Sequence, residues 1–162
     1  MKRVLVPASL IVVVFAGLSL AWAQHGHHNS GAPGAAGNDK DQREFVRFPD
    51  ALRDHTLANM RDHLLALQEI QEALGRGQED VAGRIAEQRL GMSSLSLHGA
   101  HEVAKYMPQG MQDVGTTMHR SASRFAIEAQ NAGVTGDLKP ALQALSTVTA
   151  ACVGCHAAYR LQ

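Results

Sequence analysis

Two cysteines and one histidine near the end of the chain have the residue types and spacing that point most directly to chemistry. Cys152 and Cys155 are the only cysteines among 162 residues, and His156 follows immediately. Two thiols one helical turn apart can each add to a vinyl group of haem and form two thioether bonds. The imidazole of the next residue then reaches the iron as proximal ligand. The motif therefore predicts one covalently bound haem c, with His156 as the metal ligand.

Three other uses of a Cys-x-x-Cys pair fit the sequence less well. A redox-active dithiol normally lies beside a βαβ pattern, and no such pattern is evident. A structural zinc site needs four ligands, and the chain has no second cysteine pair. A disulfide across two intervening residues would add little loop-closure entropy. Haem attachment is therefore the preferred interpretation.

The two residues that follow the motif at a short distance are further candidates for the haem site. Tyr159 and Arg160 stand three and four positions after His156, which is one helical face if the helix continues. Tyr159 is suited to pack on the haem edge, and Arg160 to lie beside the imidazole or a propionate. Ordinary packing at a helix end explains both residues equally well.

Helical periodicity organises the rest of the chain. Four helices are predicted at about 49–74, 78–107, 108–132 and from Asp137 onward, with Asp137 as N-cap of the last. No stretch alternates with period 2. Short connections between amphipathic helices favour antiparallel neighbours, so we expect an all-α antiparallel four-helix bundle around one haem.

A period of 3.6 residues predicts one apolar stripe on each helix. The four stripes contain, in chain order, Leu57, Met60, Leu64 and Leu67; Val81, Ile85, Met92, Leu95, Val103 and Tyr106; Met111, Val114, Met118, Ala122, Phe125 and Ala129; and Leu142, Leu145, Val148, Cys152 and Tyr159. Gly99 marks a point where the second helix can break. Leu90 and Leu97 lie opposite its stripe, which leaves a homodimer open.

The first part of the chain has the pattern of an export signal. Lys2 and Arg3 precede an apolar stretch, and cleavage after Ala23 removes residues 1–23. Pro7 interrupts the apolar run, so we expect a periplasmic protein with no stable membrane insertion after cleavage. Residues 24–43 form a His-, Gly- and Ala-rich leader predicted to be disordered, and 44–162 form the haem domain.

The charge balance bears on possible partners. The chain has 15 Lys and Arg against 15 Asp and Glu, and cleavage would remove two of the basic residues. A slightly acidic domain lacks the basic face that phosphates require, so nucleic acid is excluded as a partner. We expect an unidentified periplasmic redox partner instead.

The pattern Cys-x-x-Cys-His-x-x-Tyr-Arg at 152–160, at the end of an exported helical chain, resembles the class II cytochromes c, which are cytochrome c′ and its c-556-type relatives. The similarity covers roughly residues 48–160 and is weakest in the second predicted helix. It implies a haem inside the bundle, with the first helix crossing the distal face.

One distal position in this family decides how the iron behaves. Met gives a six-coordinate electron carrier, and a bulky apolar residue leaves five-coordinate iron that binds NO or CO. Matching Arg53 and Met60 to the family's Arg and second Met puts Leu57 at that position, as in cytochrome c′. Met60, one turn further on the same stripe, is the alternative ligand, and His63 at its edge is a third.

The resemblance implies a non-enzymatic protein that binds haem and transfers electrons, with NO or CO binding as the alternative. No distal polar groups for peroxidase chemistry are evident. The middle of the chain is rich in groups suited to a second metal such as copper, although core methionine and surface histidine explain it more simply. These residues are Met92, His98, His101, Met107, Met111, Met118 and His119, of which His98 and His101 share a predicted helical face.

Overall fold

A computed structural model describes residues 41–161, which are mostly helical and confirm the prediction of an all-α chain. The predicted signal and all but the last three residues of the leader lie outside this range. The helices are α1 (Asp50–Gly75), α2 (Glu79–Arg89), α3 (Ala100–Ala104), α4 (Gln109–Thr135) and α5 (Lys139–Ala158). Two three-residue strands, β1 (Glu44–Val46) and β2 (Tyr159–Leu161), pair in parallel.

Three of the four predicted helices form close to their expected bounds. Pro49 and Pro108 directly precede α1 and α4, where a missing N–H costs nothing. Gly136 ends α4 in the left-handed conformation, with φ of 75°. Asp137 accepts a hydrogen bond from the Lys139 amide at 3.0 Å, although α5 begins two residues after it.

The second helix is predicted over residues 78–107, and this prediction is wrong after its first third. α2 ends at Arg89, and a 3-10 turn at Met92–Ser94 and the short α3 replace the rest. Leu90, predicted to lie on an outer face, turns inward and is only 2% exposed. Gly99 adopts φ of 59°, a left-handed value that prevents one continuous helix from reaching α3.

The main core is formed where α4 packs against both α5 and α2, and α2 packs against α1. Gly83 brings α2 close to α4, since a β-carbon there would stand 3.0 Å from the Ala126 carbonyl oxygen. The stripes predicted for α4 and α5 supply most of the large buried side chains. The predicted residues confirmed as buried are Met111, Met118, Ala122, Phe125, Ala129, Leu145 and Val148.

The stripe predicted for α1 is not the face that is buried. Leu64 is 70% exposed, and Leu57 and Met60 are half-buried. The buried residues of α1 are Thr56, His63, Ala66, Ile70, Ala73 and Leu74. Small residues such as Ala66 and Ala73 let α2 approach closely, so packing favours this face over the one with more leucine.

The strand pair changes the end of the haem-motif helix. α5 ends at Ala158, and Tyr159 is extended, with φ of −127° and ψ of 151°. Its partner in the parallel pair is Glu44, while Phe45 lies opposite Arg160. The prediction that Tyr159 and Arg160 continue the helical face of His156 is therefore wrong, because pairing with β1 draws the chain out of the helix.

α5 is the most apolar helix of the described chain. Over an 18-residue window its mean hydropathy is 1.2, and by length and composition it is long enough to cross a membrane. A core helix passes the same test, and Ala141, Leu145 and Val148 pack in the core. Leu142, predicted to be buried, is 49% exposed. Much of the apolar surface of α5 is thus left without cover from the other described elements.

Candidate functional site

The last two turns of α5 carry the two cysteines and the histidine of the motif. Both thiols are free and half-buried. Cys152 packs against the main core, and Cys155 packs against a second, smaller apolar cluster that includes Phe48 and Met111. His156 is exposed and has no hydrogen bond or ion pair with any residue of the described range. Its imidazole is therefore available as a metal ligand.

The electrostatic setting of the thiols differs from that of reactive dithiol pairs. Burial raises the pKa of both thiols, Cys152 and Cys155, and the neighbouring Cys152 adds to the effect at Cys155. Redox-active Cys-x-x-Cys pairs instead have a thiol whose pKa is lowered by positive charge or a helix N-terminus. These cysteines lie in the second half of α5, away from its N-terminus. The arrangement is unsuited to dithiol exchange.

An apolar side chain lies beside His156 on its helix. Val153, three residues before His156 and on the same side of α5, is 63% exposed. Leu142 is on this side as well and 49% exposed, but it lies about 21 Å from His156 along the helix. Together with the free thiols, this surface fits a large apolar group joined to α5.

Tyr159 and Arg160 contact the beginning of the described chain. The Arg160 guanidinium lies 4.7 Å from the centre of the Phe45 ring, and its Nε is 3.4 Å from an Asp41 carboxylate oxygen. Tyr159 packs in the smaller apolar cluster with its hydroxyl against Gly110. Both side chains hold β2 in place. From the sequence, such a structural role and a contact with haem were equally well supported.

Three residues that the resemblance places near the haem lie along α1 in different surroundings. Arg53 forms ion pairs with Asp50 at 3.2 Å and Asp54 at 2.9 Å. Leu57 is half-buried one turn later. Met60 lines a cavity that Leu57 does not line. Met60, the alternative iron ligand, thus has different surroundings from Leu57, the expected non-coordinating distal residue.

That cavity has a volume of about 160 Å³ and lies between α1, residues 95–107 and the first half of α4. Apolar and imidazole side chains share its wall. Those that bear on its chemistry are Met60, His63, His98, Met107, Met111 and His119. The cavity brings together most of the soft and imidazole groups noted in the sequence, and we call it the histidine cavity.

Three imidazoles meet at one end of the histidine cavity. The Nε2 atoms of His63 and His98 are 3.3 Å apart. Ring centres are separated by 4.6 Å for His63 and His98, 5.4 Å for His98 and His119, and 6.1 Å for His63 and His119. His119 donates from Nδ1 to the Leu90 carbonyl oxygen at 2.7 Å. Its Nε2 is left for another partner.

Burial disfavours the charged form of all three imidazoles. Desolvation is the largest cause of the lowering of the His63 pKa to about 4, and the nearby His98 and His119 contribute to it. Desolvation also lowers the pKa of His98 and of His119. Neutral imidazole is the form that binds metal ions and shares hydrogen bonds.

The sequence predicted part of this cluster, but the predicted pairing of histidines is wrong. His63 was expected at the edge of a stripe and is instead 7% exposed. His98 meets His63 and His119, whereas His101 is exposed, because the left-handed Gly99 separates the two. The one available signal was the position of His63 three residues after Met60, on the same side of α1.

Comparison of the chain with family models, with curated protein sequences and with solved structures finds no match.

Proposed function

We propose that the chain is an exported c-type cytochrome of the class II kind that carries electrons in the periplasm. The observation that supports this most strongly is the pair of half-buried free thiols on α5 beside an exposed imidazole that has no partner among residues 41–161. In this proposal α1, α2, α4 and α5 are the four helices of an antiparallel bundle, and α3 belongs to a connection.

The bound haem would supply reversible one-electron chemistry. Cys152 and Cys155 would hold the macrocycle through thioether bonds, and His156 would donate an imidazole nitrogen to the iron. Val153 would provide apolar surface beside the macrocycle, and burial of apolar surface there would stabilise the protein by about 25 cal/mol per Å² removed from water. Pairing of β2 with β1 would fix the chain directly after the ligand.

Expression in a bacterium that matures c-type cytochromes tests the attachment. We expect a coloured protein whose haem survives extraction with acidified acetone, since thioether bonds are covalent. Cys152→Ala and Cys155→Ala should each lose one attachment, and the double variant should lose both. His156→Ala should alter the visible spectrum, while His101→Ala, a change at another exposed histidine, should not. A colourless chain with two alkylatable thiols would refute the proposal.

A redox titration tests electron transfer separately from attachment. We expect the haem to be reduced and reoxidised reversibly at one potential, without loss of protein. A haem that cannot cycle would leave attachment intact and remove the electron-carrier function. This outcome would direct attention to the alternative below.

The alternative is a five-coordinate haem protein that binds NO or CO. The observation that favours it is the position of Met60 in the wall of the histidine cavity, which Leu57 does not line. With Met60 directed there, the apolar Leu57 becomes the better candidate for the distal residue. Ferrous spectra with and without CO separate the two functions, because an open iron binds CO and a six-coordinate iron does not respond.

A further inference from the structure

We propose that His63, His98 and His119 form a binding site for a transition-metal ion, with copper(I) favoured over zinc. The site lies in the histidine cavity and uses none of Cys152, Cys155 and His156, and it requires that His63 is not a ligand of the haem iron. It therefore goes beyond the proposed function and does not depend on it. Three different segments of the chain contribute one ligand each, namely α1, the residues before α3, and α4.

The separation of the first two ligands fits a metal centre. At a metal–nitrogen distance of about 2.0–2.1 Å, two imidazoles in tetrahedral geometry hold their nitrogens about 3.3 Å apart. The Nε2 atoms of His63 and His98 are 3.3 Å apart. Without metal the same distance is a hydrogen bond, in which one nitrogen donates and the other accepts. A metal ion would take the place of that proton, and His63 would stay neutral with its proton on Nδ1 instead.

The outer nitrogens of two imidazoles are held by other groups. His119 Nδ1 donates to the Leu90 carbonyl oxygen, which leaves the Nε2 lone pair free. His98 Nδ1 lies 3.4 Å from Ser94 Oγ, and this hydroxyl itself donates to the Gly91 carbonyl oxygen. Ser94 Oγ is thus the acceptor from His98, whose Nε2 lone pair is directed to His63. Such outer partners orient imidazoles at metal centres.

The third ligand requires a small movement. Among residues 41–161 no three His, Cys, Asp or Glu side chains already converge as a finished metal site. The ring centres of His119 and His63 are 6.1 Å apart, the widest of the three separations. A turn of an imidazole about its side-chain bonds into the adjoining cavity of about 160 Å³ would complete the group.

The wall of the cavity favours copper over zinc. Met60, Met107 and Met111 all line it. Thioether sulfur is a soft ligand that selects copper(I), while imidazole binds either ion. Asp62 pairs with Arg89, which also pairs with Glu69, so these three groups together carry a net charge of −1. This charge suits either cation, so the preference for copper(I) rests on the three thioethers.

Copper(I) itself is the probe. The full chain, as purified from the maturation host, is titrated under nitrogen in competition with a chromophoric copper(I) chelator. We expect one equivalent to be withdrawn from the chelator. The titration is done on a chain with His25, His27 and His28 changed to Ala, so that the leader contributes no imidazole. No withdrawal of copper would overturn the proposal.

Variants assign the ligands. We expect His63→Gln, His98→Gln and His119→Gln each to weaken copper(I) binding more than about tenfold, in line with the loss of a ligand at protein metal centres. His101→Ala is the matched control and should bind as the parent does. Met60→Leu should weaken copper(I) binding and leave zinc binding unchanged. Glutamine variants that bind copper(I) as tightly as the parent would overturn the assignment.

X-ray absorption at the copper edge needs no variant and so does not depend on whether the variants fold. The parent chain loaded with one equivalent should show imidazole nitrogens at about 2.0 Å. A spectrum with no imidazole shell would overturn the proposal. Neither experiment measures haem, so a negative result here would leave the proposed cytochrome function standing.

Discussion

The phenol oxygen of Tyr159 lies 2.5 Å from the point where a β-carbon on Gly110 would stand. Tyr159 is the first residue of β2, and Gly110 is the second residue of α4. Because residue 110 has no side chain, the Tyr159 ring can pack against the start of α4. This contact ties the segment after the haem motif to α4.

The contact predicts the effect of one added methyl group. Gly110→Ala should force the Tyr159 ring away and lower the free energy of unfolding by about 1–3 kcal/mol, as overpacking does. Gly115→Ala in the same helix is the control, since nothing lies within 4 Å of its added carbon. That change should be neutral or stabilising by up to about 1 kcal/mol. Urea unfolding monitored by circular dichroism measures both, and equal effects would contradict the contact.

The buried His63 predicts a loss of stability in mild acid. Desolvation lowers its pKa from 6.5 to about 4 in the folded chain. Between these values the unfolded chain binds the extra proton, so stability is full above pH 6.5 and falls as pH drops towards 4. The pKa values of His98 and His119 are shifted in the same direction. Asp62, which faces His63, opposes part of the effect.

The size of the acid effect is measurable by urea unfolding at pH 7 and pH 4.5 in EDTA. A pKa shift of this size at one buried site corresponds to about 3 kcal/mol at most. His63→Gln, which removes the titrating group, should flatten part of the pH dependence. His101→Ala, at an exposed site, should leave the profile unchanged. A parent profile that is flat over this range would contradict the burial of His63.

Arg89 joins α2 to α1 and should resist conservative replacement. Its guanidinium reaches Asp62 with Nη2 at 2.5 Å and Nε at 3.1 Å, and it also pairs with Glu69. Lysine cannot make this forked contact, so Arg89→Lys should cost about 1 kcal/mol. Arg76→Lys, in an exposed pair with Glu72, should cost less than about 0.5 kcal/mol. Thermal unfolding in low and high salt distinguishes the two, and equal losses would refute the difference.

The haem-loaded protein allows a test of the distal residue. If the iron is five-coordinate, Met60→Leu should leave the visible spectrum unchanged, because Met60 then lines the histidine cavity and binds no iron. Leu57→Met should place a thioether where the resemblance puts the distal residue, which would convert the iron to low spin and raise its reduction potential. A high-spin spectrum produced by Met60→Leu would instead identify Met60 as the sixth ligand.

Much of the helical framework is predictable because its boundaries are chemically marked. Pro49 and Pro108 start helices, and Gly136 provides a left-handed end that other residues resist. The core face of α4 is predictable as well, since Met118 and Phe125 belong to a long stripe with one period. Local rules suffice where a helix is long and packed on one dominant face.

The parts that could not be predicted depend on contacts distant in sequence. α1 buries Ala66 and His63 and leaves Leu64 exposed. The reason is that α2 and residues 95–107 lie on the side of α1 that carries Ala66 and His63. No local pattern reveals that His63 and His119 meet. The strand at Glu44–Val46 is equally hidden, because three residues are too few for a period and its partner lies at the other end of the domain.

The pairing of β1 with β2 has a consequence for the order of folding. It joins residues more than a hundred positions apart, whereas the helices contact mostly their neighbours in sequence. Closing so long a loop is entropically the most demanding step, so we expect this pair to form last and open first. Native-state hydrogen exchange should find Phe45 and Arg160 amides exchanging well before those of α4. We therefore expect the pair of β1 and β2 to open at one end of the domain while the helices stay packed.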